Sequence, residues 1–261
     1  IIFINTLFFL FAYDNHNFHY VEGDKNSKNV IAVINLNGPI LGNIGNNLIN
    51  GIASYIDPEN VKEILTNLEK LNPNFIIFKL NSPGGTVSAT ASLEKIINNY
   101  KIRNKTNIYF FTNEILASGG YWIASTGDKI YASYGSIIGS IGVSGPSWYY
   151  YDEPTLISKG IISSKIENKN EIQIFDQNAG NSKDLYNPFR KPTQRELDHL
   201  KSIVLDIYNN FLVKVSNSRK IEIEILKNEI GALIYNSNQA KTNYLIDDVI
   251  NFDDLIQKNI N

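Results

Sequence analysis

Cysteine and methionine are both absent from this chain of 261 residues, and only three histidines occur. Without cysteine there can be no disulfide, no thiolate metal ligand and no cysteine nucleophile. The histidines, His16, His19 and His199, are too few and too scattered for a histidine-based metal site. Nor is there a phosphate-loop lysine motif, so no metal or nucleotide cofactor is expected. Charge is nearly balanced: 24 Lys and Arg stand against 26 Asp and Glu, a net −2. No basic excess exists to neutralise phosphates, which argues against nucleic acid as a partner. The missing methionine at position 1 suggests a processed or trimmed chain.

The N-terminal run Ile1 to Ala12 is almost wholly apolar but too short to span a bilayer, which takes roughly 20 residues. Two readings of it stand: the remaining end of a membrane anchor or signal peptide, or a buried strand or helix. Asp14 to Asn29 is polar and reads as a linker. The division is therefore 1–29 as apolar segment and linker and 30–261 as the main domain. A hydrophobic content of 43% is enough for a substantial core there.

Within that domain strands and helices alternate. Val30 to Leu36 and Phe75 to Leu80 are apolar, β-branched or aromatic runs that read as buried strands, with Ile108 to Phe111 a third and Lys129 to Ala132 a short fourth. Between the first two, Asp57-Pro58 opens a helix with Val61, Ile64, Leu65 and Leu68 on one face. Ile40 to Tyr55 reads as a loop. A second helix follows Gly84-Gly85. This order predicts an α/β fold with a mostly parallel sheet and crossover helices. The clearest helix opens at Thr193, with Glu196 completing a capping box. Its predicted buried stripe is Leu197, Leu200, Ile203, Val204, Ile207, Tyr208, Phe211 and Leu212. Ile234-Tyr235 and Leu245 to Ile250 read as closing strands around a short helix.

Ala117-Ser118-Gly119-Gly120 falls where the pattern passes from strand to helix. A serine there has two readings. It can be an N-cap, or a nucleophile attacking a carbonyl while first-turn amides hold the oxyanion. In parallel sheets ligands gather outside the carboxyl ends of the strands, so Gly84-Gly85 and Ser118-Gly119 are expected to share one cleft. A nucleophilic serine needs a base. The histidines fit poorly, two in the linker and His199 off the stripe of its helix. A neutral lysine serves in Ser-Lys variants of the triad, provided its pKa falls by several units from about 10.4. On pattern alone Lys183 reads as a solvated loop lysine.

Four motifs in order resemble the signal peptide peptidase A, or protease IV, family: Asn81-Ser82-Pro83-Gly84-Gly85, Ala117-Ser118-Gly119-Gly120-Tyr121, Gly139-Ser140-Ile141-Gly142-Val143 and Gly180-Asn181-Ser182-Lys183-Asp184. The resemblance implies a crotonase-like (ClpP-like) fold with a long C-terminal helix and a serine endopeptidase. By the same resemblance Ser118 is the nucleophile, Lys183 the general base, and Ser140 the hydroxyl that orients the lysine. Gly85 and Gly119 donate the oxyanion-hole amides. Lys159, Lys165 and Lys169 lie nearby, but none is followed by the Asp and Pro that accompany the family's lysine. Family membership further implies a homo-oligomer degrading signal-peptide remnants, membrane-associated through the N-terminal segment, with the catalytic domain on the extracytoplasmic side. Asn238 and Tyr244 replace glycines usual in the family's closing segment. The rival readings are an acyl-CoA hydratase or isomerase of the same fold and a catalytically silent scaffold.

Overall fold

The computed structural model describes residues 6–11, 19–21, 29–42, 54–151, 158–159, 164–165 and 177–260. Most of the linker, much of the Ile40 to Tyr55 loop and Lys169 lie outside the described residues. Two compact units emerge: Ile1–Gly142 together with Asn209–Asn261, and Val143–Tyr208.

In chain order the elements are β1 (Thr6–Phe11), β2 (His19–Tyr20), β3 (Asn29–Asn37), α1 (Pro58–Leu68), β4 (Phe75–Asn81), α2 (Val87–Asn104), β5 (Asn107–Thr112), β6 (Ile115–Ala117), α3 (Gly119–Ala124), β7 (Lys129–Ala132) and β8 (Ile137–Gly139). They continue with β9 (Ser158–Lys159), β10 (Ser164–Lys165), α4 (Gln194–Arg219), α5 (Ile223–Ile225, running into a π-turn), β11 (Ile234–Asn236), α6 (Ser237–Thr242), β12 (Asp248–Val249) and α7 (Phe252–Ile260). The main sheet has the order β12-β7-β5-β4-β3-β1-β2. All its pairings are parallel except β1 with β2. The chain is thus α/β with a mostly parallel central sheet. Residues 6–11 of the N-terminal run lie alongside β3 from Thr6↔Asn29 to Phe11↔Ile34.

Parallel strands covered on both faces need apolar residues on both, and the sequence supplies them. Ile31, Val33, Ile77, Phe111 and Tyr131 pack with Leu255 and Ile256 of α7. The alternate residues Ala32, Ile34, Ile76, Phe78 and Phe110 are buried as well. Helix α1 starts as its sequence requires: the Asp57 side chain accepts from Glu59 N–H at 3.1 Å and Pro58 stands at the first position.

Three local readings need correction. A separate strand, β6, intervenes between β5 and the serine and belongs to a second sheet of order β11-β8-β6. The closing strand shrinks to Asp248–Val249, with Leu245 and Ile246 buried in the turn before it. Helix α4 does open on the predicted box, Glu196 N–H on Thr193 Oγ1 at 3.2 Å and Thr193 N–H on Glu196 Oε2 at 2.8 Å. Of its predicted stripe, however, only Phe211 and Leu212 toward the C-terminal end are buried, while Leu197 and Ile203 are 40% and 45% exposed. Amphipathic spacing marks an apolar face but does not say which part of it finds a partner.

Candidate active site

The serine is placed by a junction between the two sheets. Past the end of β4, Ser82 bridges in parallel to Leu116 of β6. Ser82 N–H donates to Ile115 O at 2.8 Å, and Ala117 N–H donates to Ser82 O at 3.0 Å. β6 stops at Ala117, α3 begins at Gly119, and Ser118 makes the turn between them with φ 51° and ψ −123°. An ordinary N-cap has extended backbone and a side chain bonded to the helix amides. Ser118 has neither: its side chain makes no cap hydrogen bond. Its N–H donates to Gly139 O at 2.9 Å and its carbonyl accepts from Trp122 N–H at 2.9 Å, so the backbone is held from both sides. A non-glycine residue in such a conformation costs about 1–3 kcal/mol and persists where its surroundings overdetermine it. The capping reading therefore fails, and among the described residues a half-buried hydroxyl is left free at a sharp strand-to-helix turn.

Glycines bring the other chain segment against it. A Cβ on Gly84 (φ 111°) would lie 2.8 Å from Ser118 Cβ, 3.1 Å from Ser118 Oγ and 2.9 Å from Gly119 N. A Cβ on Gly85 would overlap the Ile40 carbonyl. That close approach is a backbone pairing: Ile40 N–H donates to Gly84 O at 2.8 Å and Thr86 N–H to Ile40 O at 3.0 Å. The pairing leaves Gly85 N–H pointing elsewhere, and a Cβ on Gly119 would lie 3.2 Å from that nitrogen. Among the described residues neither the Gly85 nor the Gly119 N–H donates to a protein acceptor. Two unengaged amides beside a free serine hydroxyl can stabilise an oxyanion formed by attack of that hydroxyl on a carbonyl. Ser82, buried and donated to by Gly84 N–H at 3.2 Å through its Oγ, shapes the glycine turn. Its role was not singled out from sequence, although a Ser-Pro-Gly-Gly stretch signals such a turn.

Helix α3 is anchored below the serine. Tyr121, fully buried, donates its hydroxyl to Leu245 O at 2.7 Å. Burial pushes that phenol above its ordinary pKa. Trp122 Nε1 donates to Glu94 Oε2 at 2.9 Å, and Lys214 pairs with Glu94 at 2.6 Å while lying over the indole. Asp247 ties Ile130 N–H, Lys129 and Arg219 together at 2.8–2.9 Å. Burial alone would raise its carboxyl, but those three donors outweigh it and hold the group below the usual range.

Ser140 follows the Gly139 carbonyl that holds Ser118 N–H. It has φ 52°, and its own N–H donates to Leu233 O at 2.8 Å. The structure thus brings together Ser118, Gly119, Gly85 and the Gly139-Ser140 turn within one unit. Lys183 belongs to the other unit, in a series of turns over residues 180–187, with its side chain exposed there. Lys159 and Lys165 end the two-residue strands β9 and β10. His19 and His199 are exposed. Among the described residues no cluster of His, Asp and Glu is placed to hold a metal ion.

A parallel α/β frame that presents a strained serine to two free amides defines a site built for acyl chemistry. Comparison with known proteins agrees. Residues 101–260, more than half of the chain, match Peptidase family S49, and the chain belongs to that family. The matched stretch contains Ser118, Ser140 and Lys183, while Gly85 precedes it. The chain is 28% identical over 232 residues to a putative signal peptide peptidase SppA of Enterococcus faecium, covering 87% of this chain and 61% of that one. It is 28% identical over 183 residues to putative protease MJ0651 of Methanocaldococcus jannaschii, covering 70% and 54%. With Protease 4 of Haemophilus influenzae it shares 25% over 239 residues, covering 89% and 35%. The chain therefore spans little more than half the length of the first two.

Proposed function

We propose that this chain is a serine endopeptidase working through a Ser118–Lys183 dyad on a crotonase-like (ClpP-like) fold. The observation that carries the reading is Ser118 itself: a positive-φ residue whose hydroxyl, like the neighbouring amides of Gly85 and Gly119, has no partner among the described residues. Lys183, oriented by Ser140, takes the proton as Ser118 Oγ attacks the peptide carbonyl. The two amides hold the oxyanion. The lysine then gives its proton to the departing amine, and water repeats the sequence on the acyl-enzyme to release the acid. A lysine does this only when neutral, so its amine must be covered and kept from carboxylates when it meets the serine. The name of the Enterococcus faecium relative, a putative signal peptide peptidase, supports signal-peptide remnants as substrates. A membrane-associated homo-oligomer with its catalytic domain on the extracytoplasmic side completes the reading; among the described residues no helix is long and apolar enough to cross a membrane.

Labelling with a fluorophosphonate probe, followed by cleavage assays on Lys183→Ala and Lys165→Ala, tests it. Labelling is expected at Ser118, with cleavage lost in Lys183→Ala and kept in Lys165→Ala. A dead Lys165→Ala with an active Lys183→Ala would move the base to Lys165. Thioester hydration without labelling would favour the hydratase reading, and silence in both assays the scaffold.

A further inference from the structure

Asp184, the residue that follows Lys183, is joined to Glu196 by one arginine. Arg190 donates through Nε and Nη2 to Asp184 at 2.5 and 2.8 Å, and through Nη1 and Nη2 to Glu196 at 2.8 and 2.7 Å. On the other side of the lysine, Ser182 helps to hold the Glu196 carboxyl below its usual range. Glu196 in turn caps α4 through Thr193 N–H and Thr193 Oγ1. The guanidinium lies 5.3 Å from the Trp148 ring centre, and Trp148 Nε1 donates to Asn187 O at 3.0 Å. Ser182 sits at φ 63°, a left-handed conformation that a serine adopts only when held. Asp184, next to Lys183, is therefore tied through Arg190 to the first turn of a 26-residue helix, and Lys183 itself is exposed.

Resting on the dyad reading above, we infer that Arg190, acting with Glu196, is the positioning residue for Lys183. The bidentate pairs fix the height and direction of the loop that presents the amine. A planar guanidinium can serve two carboxylates in this way, and an ammonium cannot. Displacing a catalytic group by about 1 Å can cost on the order of 100-fold in rate. Arg190 acts on the loop and not on the reacting atoms, so its loss is read through the lysine.

The test uses the full chain with Arg190→Gln, Arg190→Lys and Ser182→Ala, following kcat, KM, thermal melting and the pH dependence of kcat/KM. Arg190→Gln is expected to lower kcat by about 10–100-fold with little change in KM. The acid limb of the profile should move to higher pH, because the amine is then no longer brought into the covered environment that the dyad reading requires of it. Arg190→Lys should stay defective. Ser182→Ala, which leaves the ion pairs intact, should move the limb in the same direction by less, and it carries the test if Arg190→Gln does not fold. An unmoved limb with a rate loss matching the loss of folded protein would overturn the inference, as would full recovery by lysine at 190. Normal activity in Lys183→Ala would instead sink the dyad and leave the clamp a structural feature. A dead Lys183→Ala beside an unimpaired Arg190→Gln would sink the positioning role alone.

Discussion

Two regions carry the residues of the proposed reaction, and they are made in different ways. Around Ser118 the geometry is a matter of backbone: a bridge at Ser82, a carbonyl from Gly139, glycines where any Cβ would collide, and buried α3 beneath. Around Lys183 it is a matter of side-chain charge, one guanidinium between two carboxylates at a half-exposed loop. Backbone pairing and close packing leave little slack and respond weakly to salt. A charge cluster near solvent is screened as ionic strength rises. Arg190 holds both Glu196 and Asp184 below the usual carboxylate range. The sign follows: their contribution is present above the unfolded carboxylate pKa and is lost only as pH falls through the lower folded values. A nucleophile needs one fixed position, whereas a base must be carried to it, and the two constructions suit those needs.

The comparison breaks first at the serine. Ser118→Ala should reduce cleavage by at least about 10⁴-fold while the chain still folds, and normal turnover would end the nucleophile assignment. Ser118→Gly should be equally inactive yet about 1 kcal/mol more stable than the alanine variant, because glycine adopts the φ 51° turn without strain. Equal melting of the two would show that the turn is not strained.

Next comes the oxyanion pair. A Cβ at Gly119 meets Thr90 Oγ1 at 2.6 Å and Gly85 N at 3.2 Å, so Gly119→Ala must push the two amides apart. A loss of about 10²–10³ in kcat is expected, with labelling by the fluorophosphonate probe slowed alongside. Unchanged kcat would remove these amides from the mechanism.

Asp247 is where charge enters the backbone-built region, and it sharpens the contrast. Its side chain is 19% exposed and joins β7 to the end of α4 through Arg219. Asp247→Asn should cost about 2 kcal/mol at neutral pH. The folded carboxyl is lowered, so the parent protein's advantage is complete above the unfolded value of about 3.9 and fades as pH drops through the folded one. Chemical denaturation across that range should show the two proteins converging in acid, and a constant gap would refute the assignment.

The smallest effect is at Tyr244, 73% exposed and at φ 59°, a conformation that favours glycine. Tyr244→Gly should stabilise by about 1 kcal/mol, measured as a higher melting temperature with activity unchanged.

Much of this was legible along the chain. Apolar β-branched runs announced β3, β4, β5 and β7, Asp57-Pro58 and Thr193 with Glu196 announced helix starts, and the two glycine motifs announced a shared cleft. These signals are local: each depends on residues within a turn or a strand of one another. β6 was missed because three residues carry too little periodicity to separate from the strand before them. The exposed half of the α4 stripe was misread because spacing shows a face and not its partner.

What the amino-acid sequence determined by itself was the alternation of elements and the chemistry available: a serine, a lysine, glycines, and neither thiol nor abundant imidazole. Tertiary structure alone decided that Ser118 is strained rather than a helix cap, that Gly84 and Gly85 lie against it, and that Arg190 joins Asp184, beside Lys183, to Glu196. The reason is physical. A backbone angle forced positive, or an amide left without an acceptor, results from contacts between segments distant in sequence, and no local propensity encodes it.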